Sequence, residues 1–114
     1  MIVSINPATE AVEARLEAHT PDQVEIKLAN AASAQRAWAL RPIAERSALL
    51  TRVAVVLRRN RDAYALLITK EMGKPIAEAE SEIEKSAWTC DFYAESAAKY
   101  LGDQQVSSNA AESA

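Results

Sequence analysis

One cysteine, one histidine and two glycines are all that this 114-residue sequence holds of three residue types that mark reactive sites and tight loops. A single cysteine excludes an internal disulfide framework, and one histidine beside one cysteine excludes the usual zinc clusters. With glycine only at positions 73 and 102, neither a phosphate-cradling loop nor the glycine-rich dinucleotide fingerprint can be assembled. Aromatics amount to 5%. No stretch of 18 apolar residues occurs, and the first 20 residues carry neither a basic start nor an apolar signal core. The expectation is a cytoplasmic chain in a reducing compartment that does not span a membrane.

Alanine is what the sequence has in abundance. Its 24 copies are about half of the 49% counted as hydrophobic, so large core-forming side chains are few. Such a composition favours helices and packs a thin core, within one small, mildly acidic domain of formal charge -3.

Along the chain, Ile2-Val3-Ser4-Ile5 reads as a short strand that enters a turn at Asn6-Pro7-Ala8-Thr9. Val12 to Ala18 then alternates, with Val12, Ala14, Leu16 and Ala18 on one side and Glu13, Arg15 and Glu17 on the other, which predicts a second strand. An isolated hairpin is marginal in water, so its apolar face needs a cover.

Thr20-Pro21-Asp22-Gln23 combines a capping threonine, a proline at the first helical position and a capping-box glutamine. The helix it starts should place Val24, Leu28, Ala31, Ala32 and Trp38 on one face and stop before Arg41, because Pro42 disfavours helical geometry there. A second helix is expected from about Pro42 to Arg59 with the stripe Ile43, Leu49, Leu50, Val53, Val56 and Leu57. A third, capped by Asp62, should turn Tyr64, Leu67, Ile68 and Met72 inward and end at Gly73, with Pro75 beyond. The longest runs from Pro75 to Leu101. Its apolar positions Ile76, Ala79, Ile83, Ala87, Cys90, Ala94, Ala97 and Leu101 step by three or four over about 39 Å. Residues 102–114 are small and polar and read as a flexible tail.

Candidate chemistry is sparse. Cys90 lies within the apolar stripe of the long helix, where a buried structural thiol is the expected role. His19 follows the second strand with no nucleophile nearby and reads as a surface residue. Glu78, Glu80, Glu82 and Glu84 are spread around a helix, a poor metal site. Gly73-Lys74 is explained by helix termination, and Trp38 and Trp88 by packing. Residues 41–61 hold six arginines against one acid, and residues 71–95 hold seven acids against two lysines. Opposite blocks of this kind can orient two packed helices or attract a charged partner. Nucleic acid is not the expected partner, since the arginines lack interleaved aromatics and the chain is acidic.

The order of these pieces resembles the amino-terminal portion of NAD(P)-dependent aldehyde dehydrogenases, and within them the succinate-semialdehyde dehydrogenase group. The resemblance rests on Ile5-Asn6-Pro7-Ala8-Thr9, on Ala31 to Trp38 leading into Arg41-Pro42, and on Glu45-Arg46 followed by Leu49-Leu50. Ile68-Thr69-Lys70-Glu71-Met72-Gly73-Lys74-Pro75 is its most specific stretch, and Glu82 to Lys85 and Trp88 to Glu95 add the flavour of the semialdehyde group. It covers the whole chain. One departure is Glu10-Ala11, where the family usually has glycine then glutamate, so a differently shaped turn is expected.

The resemblance implies a mostly helical chain with a short N-terminal β-hairpin, the leading part of a cofactor-binding domain whose parallel sheet is missing. Residues 1–101 would be the scaffold and 102–114 the tail. It also implies that the nucleophilic cysteine, the general-base glutamate, the asparagine that polarises the aldehyde, the Pro-Trp-Asn segment and the ribose-contacting lysine lie downstream. Cys90 does not match the nucleophile's motif. No catalytic, cofactor-binding or metal residue is therefore expected among these 114, although some members use a carboxylate at the Glu71 position to help hold a structural cation. NAD or NADP and an aldehyde would be ligands of the full-length enzyme only. Because the resemblance persists to the last residues, an early stop, an incomplete gene model or a deliberate fragment fits better than a frameshift. The alternative is a non-catalytic helical interaction module derived from the family. Helix faces meant for the missing sheet, including Leu50, Val53, Leu57, Ile68 and Ile83, should be exposed, and the isolated chain should self-associate, dissolve poorly or pair with a full-length relative.

Overall fold

In the computed structural model, residues 1–109 are described; the final five residues of the tail expected at 102–114 lie outside them. Two strands, β1 (Ile2–Ile5) and β2 (Val12–Leu16), precede four helices: α1 (Pro21–Ala39), α2 (Ile43–Arg59), α3 (Arg61–Met72) and α4 (Ile76–Tyr100). This is the mostly helical chain with an amino-terminal hairpin that the sequence implies. The long helix and the first helix end within a residue or two of their expected limits. Residues 102–109 are exposed and form no helix or strand.

The strands pair antiparallel, Ile2 opposite Leu16 and Ser4 opposite Ala14, and the register slips between Ser4 and Ile5 so that Ile5 faces Val12. β2 stops at Leu16, short of the expected Ala18, because Leu16 is already paired near the start of β1. The slip makes Glu13 the extra residue of a bulge, a device that re-aims a side chain. Glu13 accordingly leaves the outward row predicted for it, accepts a 3.2 Å hydrogen bond from Asn6 Nδ2 and reaches Lys70 of α3 at 3.7 Å. The loop between the strands is organised by Asn6, whose Oδ1 accepts from the Ala8 and Thr9 amides at 2.9 and 3.3 Å. Glu10 sits in the left-handed region at φ 63°. A side chain at this position carries backbone strain that a glycine would not.

α1 begins with the full capping box. The Gln23 amide donates to Thr20 Oγ1 at 3.2 Å, the Thr20 amide to Gln23 Oε1 at 2.9 Å, and Pro21 occupies the first turn. At the α2–α3 junction Asn60, not Asp62, is the cap residue, and its side-chain amide donates back to the Val56 carbonyl at 2.9 Å. Asp62 instead lies in the first turn of α3, where its charge complements the helix dipole.

α2, α3 and α4 pack together, with Ala54, Ala65, Ala79, Ile83 and Ala87 buried among the described residues and Leu57 and Ile68 packed against Ala65, Ala79 and Ile83. Four alanines and one isoleucine make a thin core, in which small side chains let helix axes approach closely. Exposure of Leu50, Val53, Leu57, Ile68 and Ile83 is overturned for most of the set: Ile83 is buried and Leu50, Leu57 and Ile68 are half-buried, leaving only Val53 exposed. Ile83, Leu57 and Ile68 pack together across the helices. α3 likewise faces inward through Ala65 and Ile68, while Tyr64, Leu67 and Met72 are exposed. Ile2, Ile5, Val12 and Leu16 of the hairpin stay uncovered.

No residue of α1 is buried. The helix stands away from the other three, and the radius of gyration is 20.4 Å, against about 13 Å for a compact chain of this length. Accessible surface is 9099 Å², roughly 3,000 Å² more than a compact monomer of this mass presents.

The tightest joint is the α3–α4 corner. Gly73 ends α3 at φ 74°, its amide donating to the Thr69 carbonyl at 2.9 Å. A Cβ at Gly73 would lie 2.9 Å from Pro7 Cγ, so the missing side chain also gives the hairpin loop room to sit on the corner. Lys74, next in sequence, is hydrogen-bonded and ion-paired to Glu82 on α4. That bond, with smaller coulombic help from Glu82 and Glu78, raises the Lys74 pKa above its ordinary 10.5.

Gly73→Ala should destabilise the chain by about 1–2 kcal/mol in urea unfolding, through left-handed strain and the clash with Pro7. Glu10→Gly should stabilise it by about 0.5–1 kcal/mol, the relief of strain being partly offset by a freer unfolded chain. Because its pKa is raised on folding, Lys74 contributes stability that is complete below its unfolded value of 10.5 and is lost as pH rises through the higher folded value. The melting midpoint should therefore fall more steeply above pH 10.5 in the native chain than in Lys74→Met.

Candidate functional site

The residues singled out in the sequence do not converge. Cys90 lies about three-fifths along α4 and is half-buried rather than buried, with its thiol free of any disulfide. His19 is exposed in the connection before α1, and Glu71 is exposed in the last turn of α3. Among the described residues no group of three or more His, Cys, Asp or Glu side chains is placed to hold a metal ion. The acids at 78–84 are drawn apart by their partners, Glu82 by Lys74 and Glu84 by Arg58.

Arg58 links the two charge blocks. From the last turn of α2 its Nε donates to Glu84 at 2.9 Å and its Nη1 to Asp91 at 2.7 Å, so one guanidinium spans two turns of α4. The hydrogen bond to Asp91, then that to Glu84, raises the Arg58 pKa further above its already high value, leaving it charged throughout the accessible pH range. Arg61 is raised in the same way by its hydrogen bond to Asp62. Since these groups are open to solvent, their geometry fixes helix orientation more than it adds stability. Arg46 is different: its Nε is sealed from solvent without an acceptor, as is Thr69 Oγ1.

Two surfaces remain. At the elbow between α1 and α2 a hollow of about 370 Å³ is lined by Trp38, Arg41, Glu45, Ala48, Leu49 and Arg52. The Arg41 guanidinium carbon lies 5.7 Å from the Trp38 ring centre while its Nη2 pairs with Glu45 at 2.7 Å. On α4, Trp88 stacks on Phe92 with centroids 5.7 Å apart, and Phe92 meets Tyr93 edge-on at 5.3 Å. Trp88 is 58% exposed, so neither tryptophan fills the packing role expected of it. The carboxylate of the elbow hollow, Glu45, is paired with Arg41. What this arrangement supplies is contact area and orientation. The hollow at the elbow was missed in the sequence, although Trp38 and Arg41 three residues apart were a readable signal for a stacked pair.

The aldehyde dehydrogenase family model matches residues 1–114. A protein of Synechocystis described as probable succinate-semialdehyde dehydrogenase [NADP(+)] is 38% identical over 112 residues, which is 98% of this chain and 25% of that protein. The Escherichia coli succinate semialdehyde dehydrogenase [NAD(P)+] is 41% identical over 93 residues, 82% of this chain and 20% of its own length. In three dimensions, the succinic semialdehyde dehydrogenase of Streptococcus pyogenes, solved with NADP+, superposes with a TM-score of 0.89 at 32% identity over 96% of this chain and 24% of that one. With its hairpin, its four helices and its whole length matched, the chain belongs to the aldehyde dehydrogenase family and spans about a quarter of the relatives it matches.

Proposed function

We propose that this chain is the leading scaffold of an NAD(P)-dependent aldehyde dehydrogenase that oxidises succinate semialdehyde or a similar short aldehyde to its carboxylate, and that it turns over nothing by itself. The observation that carries this reading is the match over nearly the whole chain to succinate-semialdehyde dehydrogenases, in sequence and in shape. Aldehyde oxidation needs a thiolate to add to the carbonyl, a base to activate water, an oxyanion site and a cofactor held against the reacting carbon. Cys90 is half-buried on α4 while the one histidine, His19, lies in the exposed connection before α1, and the described residues contain no glycine-rich cradle for a pyrophosphate. The role left to residues 1–101 is mechanical: they form one scaffold unit, with 102–114 as a polar tail. NADP is the favoured cofactor of the whole enzyme, since it is named for both the Synechocystis relative and the S. pyogenes structure. No described helix is long and apolar enough to cross a membrane, which agrees with work in the cytoplasm.

The uncovered apolar residues on the hairpin, α1 and α4 favour a second property, self-association of the 114-residue chain when nothing else covers them.

A chimera tests the function. Joined to the Synechocystis relative in place of that protein's matching first quarter, this chain should give an enzyme that reduces NADP with succinate semialdehyde, while the 114 residues alone give no turnover. A folded chimera that binds NADP but leaves succinate semialdehyde untouched would remove the substrate assignment. Sequencing the gene in frame beyond the Ala114 codon should reveal a Pro-Trp-Asn segment and a glycine-flanked cysteine.

A further inference from the structure

α1 is a helix held in place with nothing against it. Its 19 residues include no buried side chain, yet Val24, Leu28, Ala31, Gln35 and Trp38 recur at alternating steps of four and three. That spacing draws one narrow, straight seam along the helix, of the kind that receives a single element lying lengthwise. Val24 is 42% and Leu28 58% exposed. Beside the seam, Ala31, Ala34, Gln35, Ala37, Trp38 and Arg41 line a shallow apolar hollow. At the elbow below, Arg41 is fixed by Trp38 and Glu45, and Pro42 prevents α1 from running on into α2. The seam is thus presented by a built joint.

The identity of what covers it follows from three quantities. The chain spans about 25% of its relatives' length, so three-quarters of their polypeptide has no counterpart here. Its shape nevertheless agrees with the S. pyogenes enzyme at a TM-score of 0.89 over 96% of its residues, a span that includes α1. The whole chain's excess surface of roughly 3,000 Å² exceeds the ~800 Å² that one partner contributes to a standard protein interface. A helix that keeps its place without a partner, with that much surface uncovered, is preorganised for one.

We infer that the Val24-Leu28-Ala31-Gln35-Trp38 seam of α1 is a docking surface for the catalytic remainder of an aldehyde dehydrogenase, the part of the relatives that this chain does not span, and that it takes up this partner even when the two are separate polypeptides. The inference rests on the family reading above but requires no turnover. Preorganisation lowers the ordering cost of association, so covalent linkage is not needed for the seam to fill.

The test co-expresses the tagged 114-residue chain with the Synechocystis relative from which the matched first quarter has been deleted. The expected result is co-purification of the two pieces, with slowed amide exchange along α1. Leu28→Glu puts a charge in the seam and should reduce capture on the order of a hundredfold. Ser33→Glu, half a turn away on the opposite face, should leave capture unchanged. Because no α1 residue is buried, both variants should keep the native circular dichroism spectrum. Capture that ignores Leu28→Glu overturns the inference, as does absence of capture while both pieces are present in the soluble fraction. A wild-type dimer lost in Leu28→Glu, with no capture of the truncated relative, assigns the seam to a second copy and overturns it too. Capture without NADP reduction leaves the docking surface standing and removes the catalytic reading; an active chimera without capture does the reverse.

Discussion

The corner at Gly73 is the constraint on which the rest of the chain depends. A left-handed residue there ends α3 and lets the chain turn back into α4 within three residues. Only with that reversal can Ala65 on α3 meet Ala79 and Ile83 on α4, which are the residues that form the buried cluster. The same absent side chain gives Pro7 its place, so the hairpin, too weak to stand alone, is seated on the helices through one close approach and the Glu13–Lys70 pair. Lys74 and Glu82 then tie the first turns of α4 back to the corner. Backbone geometry, hairpin docking and helix pairing meet within five residues of sequence.

How much of this was legible in the sequence depends on whether the signal was local. The capping box of α1, the stop at Gly73 and the start of α4 after Pro75 are decided by residues within a turn of each boundary, and all were readable. The bulge at Glu13 was not, because alternation specifies a face only when pairing has no slip. The direction of the α2 and α3 faces also escaped. Periodicity reveals an apolar side but not its partner, and Leu57, Ile68 and Ile83 turned out to face other helices in the same chain. On α3, large residues read as inward are out and Ala65 is in, because close helix approach selects for small side chains, which carry little hydrophobic signal.

The candidate surface followed the same rule. Opposite charge blocks were visible, and the Arg58 bridge to Glu84 and Asp91 accounts for part of them by fixing α2 against α4. The Trp38–Arg41 elbow needed three-dimensional placement, since only the turn at Pro42 brings Ala48, Leu49 and Arg52 alongside. Several of the polar side chains are engaged in holding the fold: Asn6 in turning the hairpin loop, Thr20 in capping α1, and Arg58 and Lys74 in pairing helices.

A core of alanines has a further consequence for how such a piece behaves. Each buried methyl contributes little apolar area, so a cluster of four alanines and one isoleucine offsets only a small part of the conformational entropy of ordering about a hundred residues. In the relatives the matching piece is about a quarter of a longer polypeptide, and the uncovered faces of α1, α4 and the hairpin are where further burial can be gained. A scaffold whose own core is thin and whose outer faces are apolar places most of its stabilising area at the boundary with its partner. Its stability is then a property of the assembly. The local signals that shape it, an αL glycine, a capping box and a proline elbow, are those that act before any partner arrives. They set the angles at which the outer faces are offered, and the partner supplies the burial that the chain's own side chains are too small to provide.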